Sequence, residues 1–217
     1  MFTYSQAIAE SLVLAANSDT LRTCALRPSM VFGPGDLQVI PAIHACIAAR
    51  QTPFITGSGT NLYDFTYISN VADAHVLAVE NLLNLSLLEN GFATSSQISA
   101  KDGQPFASGA GQAFFISNGE PVPFAAFCLA VWKQFGHVPA VRVRIPQGLA
   151  YRGAVKDACG IRYANLKKAR HVLGSRPKVG LEEGIKLACR DYTMRLGLDE
   201  DVDPGSRSGT TDADLVE

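Results

Sequence analysis

Apolar positions at Ile8, Leu12, Ala15 and Ala16 recur at helical spacing and predict a first helix over residues 5–16. A short apolar run follows at residues 21–26, with no glycine or proline inside it. A second helical stripe over residues 38–50 then gathers Val39, Ile40, Ile43, Cys46 and Ile47. An apolar run between two helical patterns reads as a buried parallel strand. Arg27-Pro28 ends it, because proline lacks the N–H a ladder needs and turns its predecessor away from helix. Between residues 51 and 68, two strand candidates flank Gly57-Ser58-Gly59-Thr60-Asn61, which predicts a hairpin or tight loop. Its return strand alternates Tyr63, Phe65 and Tyr67 and is read as core rather than as a flat ligand wall.

Asn70 is the expected N-cap of a helix over residues 71–87, with Val71, Ala74, Ala78, Leu82 and Leu85 inward. A strand is predicted at AFFI, residues 113–116, and a helix over 123–135 with Phe124, Phe127, Cys128, Val131 and Phe135 on one face. Residues 141–145 alternate valine and arginine, as a half-exposed edge strand does. Residues 147–155 read as a short helix or loop. Asn165 is placed to cap a helix over 166–173, which Gly174 stops, and the last helix spans 181–196. Residues 89–112 have no sustained period and read as a mobile surface loop, and residues 199–217 as a disordered acidic tail. The order of elements is that of an α/β chain with a parallel sheet, and in such sheets ligands sit where loops leave the carboxyl ends of strands.

Charge changes this picture little. The net charge is −1, which gives no pull towards nucleic acid. The balance hides an asymmetry: residues 199–217 hold seven acids against Arg207, so the rest of the chain is net basic. The five cysteines have no C-x-x-C spacing and read as reduced thiols of a cytosol-facing protein, not as a disulfide frame or zinc site. No apolar run approaches the ~18–20 residues of a membrane span. The start MFTYSQAIAE lacks the basic and apolar regions of a signal peptide.

Candidate chemistry is sparse. Gly33-Pro34-Gly35-Asp36 lacks G-x-G-x-x-G spacing, and Pro34 removes one N–H that a phosphate would use, so a turn shaping a pocket wall is the preferred reading. His44, His75, His137 and His171 form no metal motif, so no metal site is expected. Ser29, Ser58 and Ser69 have no nucleophile-elbow context. Lys167, Lys168, Arg170, His171, Arg176 and Lys178 are read as a solvated face rather than an anion site. On residue chemistry alone the chain is an α/β unit with a ligand loop and no visible catalytic machinery.

Five stretches in order, LRPSMVFGPGD, IPAI, GTNLYDFTYISNVADAH, AFFISNGEPVPF and RYANLKKARHVLGSRPKVGLEEGI, resemble the 3β-hydroxysteroid dehydrogenase family of extended short-chain dehydrogenases, nearest to its sterol-4α-carboxylate branch. The likeness covers residues 5–195, apart from 89–112 and a shortened segment after Tyr151. It implies an incomplete Rossmann-like parallel sheet with a small C-terminal substrate lobe. The implied division is 1–88 for the sheet core and first lobe elements, 89–112 for a loop, 113–198 for the lobe and 199–217 for the tail. It implies an oxidoreductase using NAD or NADP on a 3β-hydroxysterol, with a tyrosinate taking the hydroxyl proton and a lysine lowering the tyrosine pKa.

In the family, Tyr-x-x-x-Lys runs into a helix beginning Ala-x-Ala-Glu. The match to Ala7-Ile8-Ala9-Glu10 puts Phe2 at the tyrosine position and Gln6 at the lysine position, with Tyr4 out of register, so no catalytic residue is expected. By position, Arg27, Pro28, Ser29 and Val31 would flank the nicotinamide, and Phe32, Pro41, Asn61 and Phe65 would form the substrate wall. No strand, glycine turn and helix precede residue 5, so the expectation is a C-terminal portion from a truncated or mis-split gene or a decayed paralogue, inactive alone. The alternative is a non-catalytic sterol-binding or dimerising remnant. Implied partners are the sterol and either a second copy or a complete homologue, at a cytosolic site peripheral to the endoplasmic reticulum membrane.

Overall fold

The protein is seen in a computed structural model that describes residues 2–89, 107–145 and 160–197. Its elements run α1 (Phe2–Ala15), β1 (Ala25–Pro28), β2 (Met30–Phe32), α2 (Val39–Ala48), β3 (Phe54–Thr56), β4 (Leu62–Tyr63), β5 (Phe65–Tyr67) and α3 (Ile68–Glu89). They continue with β6 (Ala113–Ile116), β7 (Val122–Pro123), α4 (Phe124–Gln134), β8 (Val143–Ile145), α5 (Lys167–Val172) and α6 (Leu181–Arg195). Among the described residues β1 pairs with β6, β2 with β5 and β3 with β8, all parallel, while β4 pairs with β7 antiparallel.

Two apolar clusters carry the fold. In the larger, the aromatic residues of β2, β4 and β5 meet Ile40 and Ile43 of α2, Phe127 and Val131 of α4, and Leu181, Ile185 and Ala188 of α6. In the smaller, Ala74 and Ala78 of α3 pack with Phe114 and Ile116 of β6 and with Ala169 and Leu173 near α5. Residues 63–67 join the two, because all five are buried and successive side chains of a strand point to opposite sides. Tyr63, Phe65 and Tyr67 enter the larger cluster, so the core reading of this aromatic run holds. Thr66 faces the other way, its hydroxyl donating to the Ile116 carbonyl at 3.3 Å.

Several expectations need correcting. The strand expected at residues 21–26 begins four residues later, at Ala25, and it is not deeply buried: Ala25 and Leu26 are half-buried and Arg27 and Pro28 exposed. The Asn17 side chain accepts the Thr23 N–H at 3.0 Å and the Ser18 hydroxyl accepts that of Leu21, so this stretch is spent in a turn. Pro28 is inside β1 rather than beyond it. The N–H groups of Ala25 and Ser29 both point to β6, so the alternation aims the proline nitrogen at the other edge, where no bond to β6 is lost.

The hairpin at residues 51–68 does not form. Gly57 and Gly59 both take φ near +71°, and β3 leaves to pair with β8 while β5 pairs with β2. Asn70 lies inside α3, not at its cap. Its carboxamide accepts from the N–H groups of Lys178 and Val179 at 2.9 and 3.1 Å and donates to the Val179 carbonyl and to Asn118. The apolar face of α1 is outward: Ile8 and Leu12 are exposed, as helix α1 packs only lightly, against β1. Asn165 does serve α5, accepting the Lys167 N–H at 2.9 Å. Within residues 89–112, Glu89 ends α3, while Asn81 binds Ala107 and Gly109. Residues 90–106, 147–155 and 199–217 lie outside the described residues, as does Cys159.

Candidate functional site

Parallel pairing of β1 with β6 aligns Pro28 with Ile116, so both carboxyl ends open at the same edge. A cavity of about 480 Å³ lies there, lined by Arg27, Pro28, Ser29 and Met30 from one strand end and Phe115, Ile116 and Ser117 from the other. Its third wall is Arg162–Ala164, drawn in by a bridge between Tyr63 and Arg162. The Arg162 guanidinium lies 5.8 Å from the Tyr63 ring centroid and donates to its hydroxyl at 3.4 Å.

Arg27 is held on two sides. Its Nε donates to Glu10 Oε2 at 2.6 Å and a second nitrogen donates to Oε1, while Phe115 offers its ring face at 5.2 Å. The hydrogen bond from Arg27 holds the Glu10 carboxyl below its ordinary 4.5, against the pull of burial. A depressed carboxylate contributes stability above the unfolded-state value that is lost as pH falls through the folded one. Protection of the α1 amides, taken relative to their intrinsic exchange rates, is therefore expected to fall below about pH 4.5 in the parent, and Glu10→Gln to remove that dependence. An unchanged pH profile in the variant counts against the anchor.

Asp64 stands behind this site, 1% exposed. Burial pushes its carboxyl upward, against the Ser117 hydroxyl at 2.6 Å and the backbone N–H groups of Gly119 and Glu120, which lower it.

A second cavity, about 410 Å³, is enclosed by Phe54, Ile55, Phe124, Leu129, Trp132 and Ile145 with Asn61 and Arg142 at its polar edge. Two of its polar wall groups, those of Thr52 and Trp132, are used internally. Thr52 pairs with His137 at 2.8 Å, Trp132 Nε1 donates to the Ile43 carbonyl at 2.7 Å, and burial pushes the Cys128 thiol up to about 12. Asn61 Nδ2 reaches the Gly160 carbonyl at 3.5 Å, so residues 160–164 run past both cavities.

Of the residues singled out in the sequence, Arg27, Pro28 and Ser29 line the first cavity and Asn61 the second. Val31 is half-buried in β2 and Pro41 half-buried in α2, and neither lines either cavity. Phe32 and Phe65 are core, 1% and 0% exposed, because Phe65 stacks on Phe127 at 3.6 Å and Phe32 packs edge-on against both. Met30, Arg162 and Tyr163 also line the first cavity and Trp132 the second, and no local sequence pattern marks them. On α1, Gln6 lies one turn and Phe2 two turns before Glu10, the residue that Arg27 binds.

The Gly33–Asp36 turn lines neither larger cavity. Asp36 caps α2, accepting from Gln38, Val39 and Ile40, and Arg195 donates to its carbonyl. The Gly35 N–H that an anion would need already donates to Asp191 at 2.8 Å, and that bond, ahead of Arg195, lowers the Asp191 carboxyl. At Gly33 a Cβ would lie 2.4 Å from Ile68, so only glycine fits. Among the described residues no three His, Cys, Asp or Glu side chains gather as a metal site, and no helix is long and apolar enough to cross a membrane.

The profile of the 3-beta hydroxysteroid dehydrogenase/isomerase family matches residues 1–147. The chain belongs to that family. It is 37% identical over 202 residues to the decarboxylating sterol-4-alpha-carboxylate 3-dehydrogenase of Schizosaccharomyces pombe, covering 84% of this chain and 54% of the relative. The Candida albicans enzyme of that name is 35% identical, with 88% and 54% covered. The chain thus spans about half the length of these relatives. In solved structures, dTDP-glucose 4,6-dehydratase from Bacillus anthracis with NAD is similar at TM-score 0.57 and 16% identity, over 90% of this chain and 53% of that one. RMD from Pseudomonas aeruginosa with NADPH is similar at 0.55 and 18%, over 88% and 55%. These last likenesses show the fold alone, an α/β fold of Rossmann type.

Proposed function

We propose that the protein serves NAD(P)-dependent oxidation of a 3β-hydroxysterol, a sterol-4α-carboxylate of sterol biosynthesis, and that residues 1–217 supply the strand-end and substrate portion of that site without catalysing alone. The observation that carries this is the cavity at the carboxyl ends of β1 and β6, lined by Arg27, Pro28 and Ser29, within the stretch the family profile matches. The residues fit the nicotinamide end of a cofactor, which when bound supplies the hydride acceptor. They do not fit the pyrophosphate end: the Gly35 N–H is taken by Asp191, and no G-x-x-G-x-x-G occurs in the sequence. Val31 would brace the nicotinamide side from β2. Pro41 and Asn61 would belong to the substrate side, with Asn61 at the mouth of the apolar cavity that takes the fused rings or tail. The working site would be peripheral, at the cytosolic face of the endoplasmic reticulum membrane.

A fluorescent 3β-hydroxysterol provides the test. Trp132 is the sole tryptophan and lines the apolar cavity, so binding is expected to give saturable energy transfer from it. No transfer to a chain that melts cooperatively would sink the substrate reading.

The replaced pair, Phe2 and Gln6, favours a second reading, a sterol-binding or dimerising remnant. Tyr4, Ile8 and Leu12 on α1 and Val76, Val79 and Leu83 on α3 form outward apolar stripes. Stripes of this kind are covered in stable proteins, and the proposed cover is a second copy, with a complete homologue as the competing occupant. Sedimentation is expected to show species above the mass of one chain, and Leu12→Glu with Leu83→Glu to shift them to monomer. A monodisperse parent monomer overturns this.

A further inference from the structure

We propose that Asp64 is the positioning residue of the strand-end cavity: without lining it, Asp64 ties together the three segments that do. Each segment meets a different atom of this one residue. The Ser29 hydroxyl, after β1, donates to the Asp64 backbone carbonyl. The Ser117 hydroxyl, after β6, donates to Oδ2 at 2.6 Å. The Asp64 N–H donates to the Arg162 carbonyl at 2.8 Å, which fixes the wall formed by Arg162–Ala164. The Glu120 N–H closes on Oδ1 at 3.3 Å. Ser29, Ser117 and Arg162 all line the cavity; Asp64 does not.

An acid this deeply placed is costly unless its oxygens are bonded, and Asp64 uses both carboxylate oxygens and both backbone groups. Its neighbours in sequence explain the placement. Tyr63 and Phe65 are drawn into the aromatic cluster, so the strand alternation turns Asp64 towards the ends of β1 and β6. A plain stabilising role would need bonds to Asp64 but would not need them to converge on one cavity wall after another.

This inference rests on the proposed function, with the 3β-hydroxyl end of the sterol reaching the strand-end cavity along residues 160–164 from the apolar cavity that takes its rings, and the test separates the two. Asp64→Asn keeps the shape, but an amide cannot accept from both Ser117 and Glu120. The variant is expected to bind the fluorescent 3β-hydroxysterol about tenfold more weakly than the parent, both measured well below their melting temperatures. In a Ser117→Ala background the same substitution is expected to change affinity little, because the serine through which it acts is gone. Unchanged affinity with a lowered melting temperature, or a full loss in both backgrounds, overturns the proposal. A parent chain that takes up no sterol would count against the ligand site and leave amide exchange as the readout for Asp64. There Asp64→Asn is expected to accelerate exchange at residue 64 and Glu120 while α4 and α6 keep the parent rates. Uniform acceleration overturns it.

Discussion

Residues 1–217 alone are expected to give no detectable oxidation of a 3β-hydroxysterol with NAD or NADP. The reason is residue chemistry at two positions. Phenylalanine at position 2 has no hydroxyl to take a proton, and glutamine at position 6 has no charge to stabilise a tyrosinate. Loss of a positioned acid or base alone costs ~10²–10⁴-fold in rate. The cofactor side compounds it, since the Gly33-Pro34-Gly35 turn spends its Gly35 N–H on Asp191. A chimaera separates these effects. With the segment of the Schizosaccharomyces pombe relative that precedes its matched region fused upstream, nicotinamide binding is expected, but turnover still ~10²–10⁴-fold below that relative's. Adding Phe2→Tyr and Gln6→Lys to the chimaera is expected to recover most of the gap, whereas the same two changes in residues 1–217 alone recover nothing. Saturable cofactor binding with turnover by the unmodified chain would falsify this reading.

Local rules were enough for elements whose partners did not need to be known. AFFI closes at Asn118-Gly119 and is a strand of four residues, Ala113–Ile116; the stripe of Phe127, Cys128 and Val131 faces inward as its spacing requires. Where a distant partner decides, sequence reasoning went astray. Ala25, not Leu21, begins β1, because its register is set by Ala113, far along the chain. Residues 54–56 look like half of a hairpin until Val143–Ile145 takes them. The apolar period of α1 is legible in Ile8 and Leu12, but a period says nothing about what covers it.

The site divides along the same line. Arg27, Pro28 and Ser29 are contiguous in sequence and line the strand-end cavity together. Arg162 and Tyr163 come to the cavity through a single bridge to Tyr63, and no local pattern announces it. Phe32 and Phe65, expected at the substrate wall, lie in the aromatic core, because ring-on-ring packing claims them. One signal was available and unused. A lone acid between Tyr63 and Phe65, in a strand read as core, has to find hydrogen-bond donors, and asking where they come from leads to Ser117 and the carboxyl end of β6.

Phe65→Ala is expected to be the most damaging single substitution to stability. Phe65 is fully buried, stacked on Phe127 at 3.6 Å with rings 9° from parallel, and flanked by Phe32, Tyr63 and Phe124 at 5.1–6.4 Å. Those neighbours come from β2, β4 and α4, so none can move in without losing its own contacts, and the cavity left behind would stay open. Truncating a buried phenylalanine costs about 3–5 kcal/mol. A domain of this kind has only ~5–15 kcal/mol in total, so the variant is expected to melt roughly 6–20 °C lower or to be partly unfolded at 25 °C. Because β5 also carries Thr66 to the Ile116 carbonyl, the loss is expected to reach the strand-end cavity through loosening of residues 64–66. Val138→Ala, at an exposed position outside both cavities and both outward stripes, is the control and is expected to change stability by less than about 0.5 kcal/mol. Equal melting temperatures for Phe65→Ala and Val138→Ala would mean that the aromatic cluster is not what holds β2, β5, α4 and α6 together.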